Sequence, residues 1–288
     1  MEKIKVAMIG AAGKMGTRMS RSLLTMYADR YEVKIVEDYA PAIPRVEQEL
    51  GMKCVTAQEA LDFADIVVFA VKDSMIKELS ARYVPMLKPG TVFMILDPAA
   101  AIAKEVALRD DCTFVVTHPC HPSFFKWQKE EEAYQDRFGG DGGHQDVVIS
   151  KICGDDAKME MVKEATKCMY RADEAYILTT EQIAFLEPTL VEVMGACFLY
   201  AMAETVDEGV KRGIPREAAV SFMTGHVFNL SANFLGYLPG NPPVSDACKV
   251  AIQLGNRLVL RDDWKKVWDD EVLHKVIATM LHPENPQI

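Results

Sequence analysis

The chain of 288 residues predicts a doubly wound α/β domain with a parallel sheet, followed by an all-helical domain. Three observations predict it. Strand-like apolar runs alternate with amphipathic helical stretches through the first 180 residues; a glycine-rich turn joins the first strand to the first helix; and from Thr180 the pattern is helical to the end. The expected domains are therefore residues 1–180 and 181–288.

The elements follow in order. Ile4 to Ile9 is a short β-rich run, and Met15 to Ala28 has helical periodicity. Glu32 to Val36 is a second strand. Thr56 to Phe63 reads as a helix, with Thr56 and Glu59 spaced as a capping box. Ile66 to Val71 is almost continuously apolar, as expected of a strand buried on both faces. Ser74 to Met86 is amphipathic and stops at Lys88-Pro89-Gly90. Thr91 to Leu96 and Thr113 to Val116 are further strands. Ser123 to His144 is polar and irregular; its length and its glycines (Gly139, Gly140, Gly142, Gly143) suggest a substrate cover with a flexible hinge. Asp146 to Ile152 and Ala175 to Leu178 return as strands around a helix over Asp155 to Tyr170. Helix-forming residues then run from Thr180 to about Arg212, where Gly213-Ile214-Pro215 ends them. At about 1.5 Å per residue that helix spans roughly 50 Å, and its length calls for a partner along its face, so a homodimer through the helical domain is expected.

Composition narrows the function classes. With 32 Lys+Arg against 42 Asp+Glu, the net charge is −10. Nucleic acid and anionic membrane both need a basic footprint and are not expected as partners. An anionic small-molecule substrate remains compatible, because a few local cations outweigh a distant net charge. No uninterrupted apolar run reaches the ~18 residues of a spanning segment. The seven cysteines are scattered without a C-x-x-C pair, which suggests a reducing, cytoplasmic compartment.

Residues Gly10, Ala11, Ala12, Gly13, Lys14, Met15 and Gly16 form G-x-x-G-x-x-G between a strand and a helix. Gly10 suits the tight turn, Gly13 the approach of backbone N–H groups to a pyrophosphate, and Gly16 close helix–sheet packing. This is the layout of a dinucleotide-binding Rossmann turn. An acidic residue for the ribose diol should follow about 20 residues on. Glu37 and Asp38 stand there with no Arg immediately after them, which favours NAD over NADP. Ala70, Val71 and Lys72 end the next strand on the same side and complete the expected cofactor set.

Val6 to Gly16, the Asp65 to Val71 strand, and Asp97-Pro98 ahead of Thr117-His118-Pro119 together resemble the 6-phosphogluconate and prephenate dehydrogenase superfamily. In the second half, Glu181 to Pro188 and Pro243 to Cys248 resemble its phosphogluconate-dehydrogenase-like C-terminal domain. The resemblance implies NAD-dependent oxidation of a small hydroxy acid, here a sugar acid, with an oxidoisomerase-type carbon shift as the nearest activity. It also implies that His118 hydrogen-bonds the substrate hydroxyl. Asp97-Pro98-Ala99-Ala100 replaces the serine motif of the prephenate enzymes, which turns the substrate away from prephenate. Two other readings stay open: an NADP-dependent imine or ketone reductase, and a non-catalytic NAD-binding sensor.

His118 follows a strand at the end where ligands collect in doubly wound sheets, and an imidazole suits the removal of a hydroxyl proton as hydride leaves carbon. Glu187, beside Pro188 among apolar residues, is the candidate catalytic carboxylate. His118 and Glu187 are also candidate ligands for a divalent metal that would assist a carbon shift. A zinc site from His118, Cys120, His121 and His144 fits no standard spacing. His121 is a candidate substrate contact. His226, Asn229 and Asn233 recur at helical spacing and could line a polyol pocket or form an interhelix network. Ser245 and Asp246 suit a helix cap first, and are candidate substrate contacts only secondarily.

Overall fold

The computed structural model describes residues 2–288. They form two compact units: one ends at Ala184 and takes back His274–Ile288, and the other is Phe185–Leu273. The division falls a few residues beyond the expected boundary at 180, and the C-terminal segment groups with the first unit rather than with the helical one.

The first unit is built on seven strands: β1 (Ile4–Ile9), β2 (Tyr31–Val36), β3 (Ile66–Phe69), β4 (Val92–Ile95), β5 (Thr113–Pro119), β6 (Gln145–Cys153) and β7 (Ala172–Ile177). Their order is β2-β1-β3-β4-β5-β6-β7. Strands β1 to β5 pair in parallel, with Met8 opposite Ile35 on one side and Val68 on the other. Successive residues bury on opposite faces. Val6, Met8, Ile66, Val68 and Met94 enter one core, and Ala7, Ile9, Val67, Phe69 and Phe93 enter the other. A sheet covered on both sides needs such continuous apolar runs, which is why β3 and β4 lack an apolar–polar alternation, while the edge strand β2 keeps one.

One feature of the expected sheet differs. Strand β6 runs antiparallel to β5, and β7 is parallel to β6. A parallel neighbour requires a crossover, usually a helix. The segment between β5 and β6 supplies only a short helix, α6 (Glu131–Gln135), and the chain returns beside β5 in the opposite direction.

The helices that position the site are α1 (Lys14–Thr25), α2 (Ile43–Leu50), α3 (Ala57–Phe63), α4 (Asp73–Tyr83), α5 (Ala99–Ile102) and α7 (Met159–Tyr170). Thr56 caps α3 by accepting the Glu59 N–H at 3.2 Å, but the Glu59 carboxylate pairs with Lys34 at 2.7 Å. Helix α2 went unread in the sequence, although Pro44 near its start and Gly51 in a left-handed conformation just past its end mark both termini.

From α8 (Thr180–Ala184) the helix continues through a π-helical stretch, Phe185–Ala196, into α9 (Cys197–Lys211). Pro188 lies inside the π-helical stretch. Proline lacks the N–H and its ring clashes with the carbonyl four residues back, so the wider turn accommodates it. The second unit goes on with α10 (Arg216–Phe234) and α11 (Asp246–Leu258), and α12 (Asp270–Leu281) leads back into the first unit. The 32-residue helix Thr180–Lys211 is long and apolar enough to cross a membrane by length and composition alone. The sequence reading, which looked for unbroken apolar runs, passed over it. Several apolar side chains of the second unit are solvent-exposed in the single chain, among them Leu199, Tyr200, Phe222 and Leu258.

Candidate active site

The cofactor side is built by the turn from β1 to α1. Gly10 has φ of +80°, and a Cβ there would lie 2.5 Å from the Ala70 carbonyl oxygen. A Cβ on Gly16 would lie 2.4 Å from the Gly10 carbonyl oxygen. These two glycines are thus required by the packing of the turn against β3 and α1. Beside the turn opens a cleft of about 740 Å³ lined by Gly10, Ala12, Gly13, Glu37, Asp38, Ala70, Val71 and Lys72, together with Tyr39, Arg45, Met75 and Leu79. It lies where the strand order reverses around β1, the place where doubly wound sheets bind dinucleotides.

Eight expected cofactor residues line this cleft. The other four do different work in the same turn. Ala11 is fully buried, Gly16 permits the close packing, Met15 packs against the core, and Lys14 lies over the Phe138 ring at 4.2 Å. The sequence reading missed Tyr39 and Arg45, because it missed the α2 segment that carries them to the cleft. The two carboxylates differ in their ties. Glu37 accepts the N–H groups of Ala12 at 3.0 Å and Tyr39 at 2.9 Å, so it binds the glycine turn directly. Asp38 accepts the Tyr83 hydroxyl at 2.9 Å.

The chemical side lies at the ends of β4 and β5. The Nδ1 of His118 is 2.9 Å from the Leu96 carbonyl oxygen. A carbonyl only accepts, so Nδ1 carries the proton of the neutral ring and Nε2 carries the lone pair. A carboxylate oxygen of Asp97 lies within 4.8 Å of a His118 ring nitrogen, and Asp97 also accepts the Ala99 N–H at 2.8 Å, which starts α5. Asp97 entered the sequence reading as part of the superfamily resemblance and as a departure from a serine motif, without a role of its own. His121 sits at φ of +58°, with Nδ1 2.8 Å from the Phe138 carbonyl oxygen. Its ring centre is 6.3 Å from that of His118, nearly perpendicular.

His144 is engaged through Nδ1 with Asp173 at 2.9 Å. Desolvation and the Asp146 carboxylate push the Cys120 thiol up to about 11.

The segment between β5 and β6 is an anchored wall rather than a hinged flap. The Asp136 carboxylate accepts the N–H groups of Gly139, Asp141, Gly142 and Gly143 at 2.8 to 3.1 Å and faces the Arg18 guanidinium at 3.4 Å. Arg18 also donates to the Gly139 carbonyl at 2.9 Å. At the other end, Lys126 pairs with Asp146 and Asp173. The glycines serve the turn: Gly139 has φ of +82°, and a Cβ there would press on the Gln145 amide.

In the second unit, Glu187 lies in the π-helical stretch. The polar stripe of α10 is used locally: His226 bonds the Phe222 carbonyl at 2.8 Å, and Asn233 donates to the Pro242 carbonyl at 2.6 Å. Asn229 is exposed on the same helix. Ser245 caps α11 by accepting the Cys248 N–H at 3.2 Å, and Asp246 pairs with Lys249 at 2.8 Å.

Comparison with known proteins fits this geometry. Residues 126–281 match the family described as phosphogluconate dehydrogenase (decarboxylating) C-term, and residues 5–94 match NADP oxidoreductase coenzyme F420-dependent. A relative from Blautia hydrogenotrophica named D-apionate oxidoisomerase is 63% identical over 100% of both chains. One of the same name from Cupriavidus necator is 40% identical, covering 96% of this chain and 98% of its own. A crystal structure from Cupriavidus necator, described as a semialdehyde dehydrogenase NAD-binding protein in complex with calcium and NAD, superposes with a TM-score of 0.91 at 39% identity. The match covers 97% of this chain and all of the other.

The turn around Asp136 has a pH signature. Burial alone would raise this carboxyl, but the N–H groups of Gly143 and Asp141 and the Arg18 charge outweigh it and hold the carboxyl below its ordinary value. The turn's stabilisation is then complete above the ordinary aspartate range, ~4, and is lost as pH falls through the depressed native value. Amide exchange protection at Gly139, Asp141, Gly142 and Gly143 is expected to be high at about pH 6 and to fall towards about pH 2 ahead of the sheet.

Proposed function

The chain belongs to the phosphogluconate dehydrogenase C-terminal family of oxidoreductases, and from that premise we propose that it oxidises a branched sugar acid of the D-apionate type with NAD, as an oxidoisomerase. The observation that carries the reading is the His118 imidazole at the carboxyl end of β5, its Nδ1 proton held by the Leu96 carbonyl. Nε2 is then the nitrogen that takes the hydroxyl proton while hydride passes from the substrate carbon to the nicotinamide and the C–O bond becomes a carbonyl. An acyloin-type shift would move a neighbouring carbon, with its bonding pair, to a carbonyl carbon. The hydroxyl left at the origin loses its proton and becomes the new carbonyl, while the former carbonyl oxygen takes up a proton and becomes a hydroxyl. The name shared by the Blautia and Cupriavidus relatives supports this substrate class.

NAD is the proposed cofactor. Glu37 and Asp38 both line the cleft, and their charge opposes a 2′-phosphate. A divalent cation would find a hard ligand in the Asp97 carboxylate at the end of β4, with His118 Nε2 left to act as the base. There it would supply Lewis-acid polarisation of the substrate oxygens. The Cupriavidus structure described with calcium supports this. Glu187 is proposed as a catalytic carboxylate of the second unit, and His121, His226, Asn229, Asn233, Ser245 and Asp246 as substrate contacts. A second copy of the chain is proposed to cover the exposed apolar side chains of the helical unit, such as Leu199, Tyr200, Phe222 and Leu258.

Three measurements check these points. Incubation with D-apionate and NAD is expected to yield NADH and a rearranged oxo acid. His118→Ala should cost about 10²–10⁴ in kcat with NAD affinity retained, and Glu187→Gln should also lower kcat; unchanged turnover in His118→Ala would remove the base. A chelator arm in the same assay reports on the cation: full turnover without divalent metal removes it. Second, Glu37→Ala should weaken NAD binding about tenfold or more and narrow its advantage over NADP. Third, light scattering should give twice the 32.1 kDa chain mass.

A further inference from the structure

We propose that Asp136 is a positioning residue that fixes the tautomer of His121, and that His121 then serves as a second nitrogen acceptor for the sugar-acid substrate beside His118. The inference rests on the oxidoreductase reading above for its substrate, but not for its structural half.

The chain of contacts runs from carboxylate to ring. Asp136, whose side chain is 8% exposed, gathers four backbone N–H groups and one guanidinium. Closing residues 136–143 around one carboxylate sets the course of the backbone at Phe138. The Phe138 carbonyl then stands 2.8 Å from His121 Nδ1. The Phe138 ring is held from two sides, with Lys14 at 4.2 Å and the Arg18 guanidinium at 5.0 Å, and His121 packs against it at 4.8 Å. Lys14 and Arg18 belong to α1, whose first turn forms the cofactor loop. The insertion is therefore fastened to the nucleotide-binding helix and delivers a backbone carbonyl to one histidine.

The chemical consequence follows from hydrogen-bond polarity. A neutral imidazole in water favours the proton on Nε2 only modestly, so a fixed carbonyl at Nδ1 decides the tautomer. Both His118 and His121 face carbonyl oxygens at Nδ1. Both then carry the lone pair on Nε2. Two acceptors with ring centres 6.3 Å apart suit a polyol, whose neighbouring hydroxyls are donors that each need a partner. His118 takes the proton of the oxidised hydroxyl, while His121 accepts from the next one and orients it. The left-handed backbone at His121, rare for a residue with a side chain, is the sort of local strain that a surrounding structure must over-determine to maintain.

The test uses the full chain labelled with ¹⁵N-histidine, because tautomers have distinct ring-nitrogen shifts. In the unsubstituted protein both His118 and His121 are expected as the Nδ1–H form. In Asp136→Ala, His121 should relax towards the Nε2–H form while His118 keeps its signature, which separates lost positioning from lost fold. Its kcat should fall about 10–100-fold, the usual scale for a group that orients another, with NAD affinity unchanged. Asp136→Asn, which keeps an acceptor oxygen, should restore part of both. His121→Asn is the second variant: its amide N–H can still reach the Phe138 carbonyl, but the distal nitrogen is gone. It should match the Asp136→Ala loss in kcat. An unaltered His121 tautomer in Asp136→Ala overturns the positioning role. Unchanged kcat and KM in His121→Asn overturn the substrate role. A protein that shows both Nδ1–H tautomers but oxidises no sugar acid overturns the functional reading and leaves the positioning intact.

Discussion

The first unit depends on one close approach of backbone to backbone. Gly10 meets the carbonyl of Ala70, and Gly16 meets the carbonyl of Gly10, at separations where a Cβ has no room. That contact lets α1 start directly above the end of β1 and sets its first N–H groups at the switch point of the sheet. Glu37 reinforces the same turn from β2 by accepting the Ala12 N–H. The cleft, its carboxylates and the lysine at the end of β3 all take their places from this turn.

A second theme is the use of main-chain carbonyls to orient imidazoles. His118 is turned by Leu96, just past the end of β4, and His121 by Phe138 in an insertion. The Leu96 carbonyl follows directly on a strand that is paired on both sides. A loop carbonyl needs its own support, and the Asp136 turn with its Arg18 tie provides one. The same contacts explain why the insertion is a wall. Its glycines bend around a carboxylate instead of loosening the chain, and Lys126 with His144 fastens its far end to β7 through Asp173.

Much of this was legible along the chain. All seven strands lie at expected runs, and β3 and β4 stand out most because burial on both faces leaves a continuous apolar run. The glycine turn, Glu37, Asp38, Ala70 to Lys72 and His118 were legible because their spacing is local: each sits at a strand end that its own run announces. Helix α2 was not read, although Pro44 and Gly51 mark its termini and its short body is amphipathic. Tyr39 and Arg45 were lost with it. Asp97 was given no role in the site, because nothing local shows that β4 and β5 end side by side.

The sequence by itself determined the succession of strands along the chain, the nucleotide turn and the change to helix near Thr180, since these rest on periodicity and steric demands within a few residues. Only the tertiary structure decided the antiparallel return of β6, the approach of Asp97 to His118, the nitrogen that carries each histidine's proton, and the anchoring of the insertion on α1. Each of these depends on groups far apart in the chain, such as Leu96 with His118 or Arg18 with Asp136, which the fold alone brings within hydrogen-bonding or ion-pairing distance.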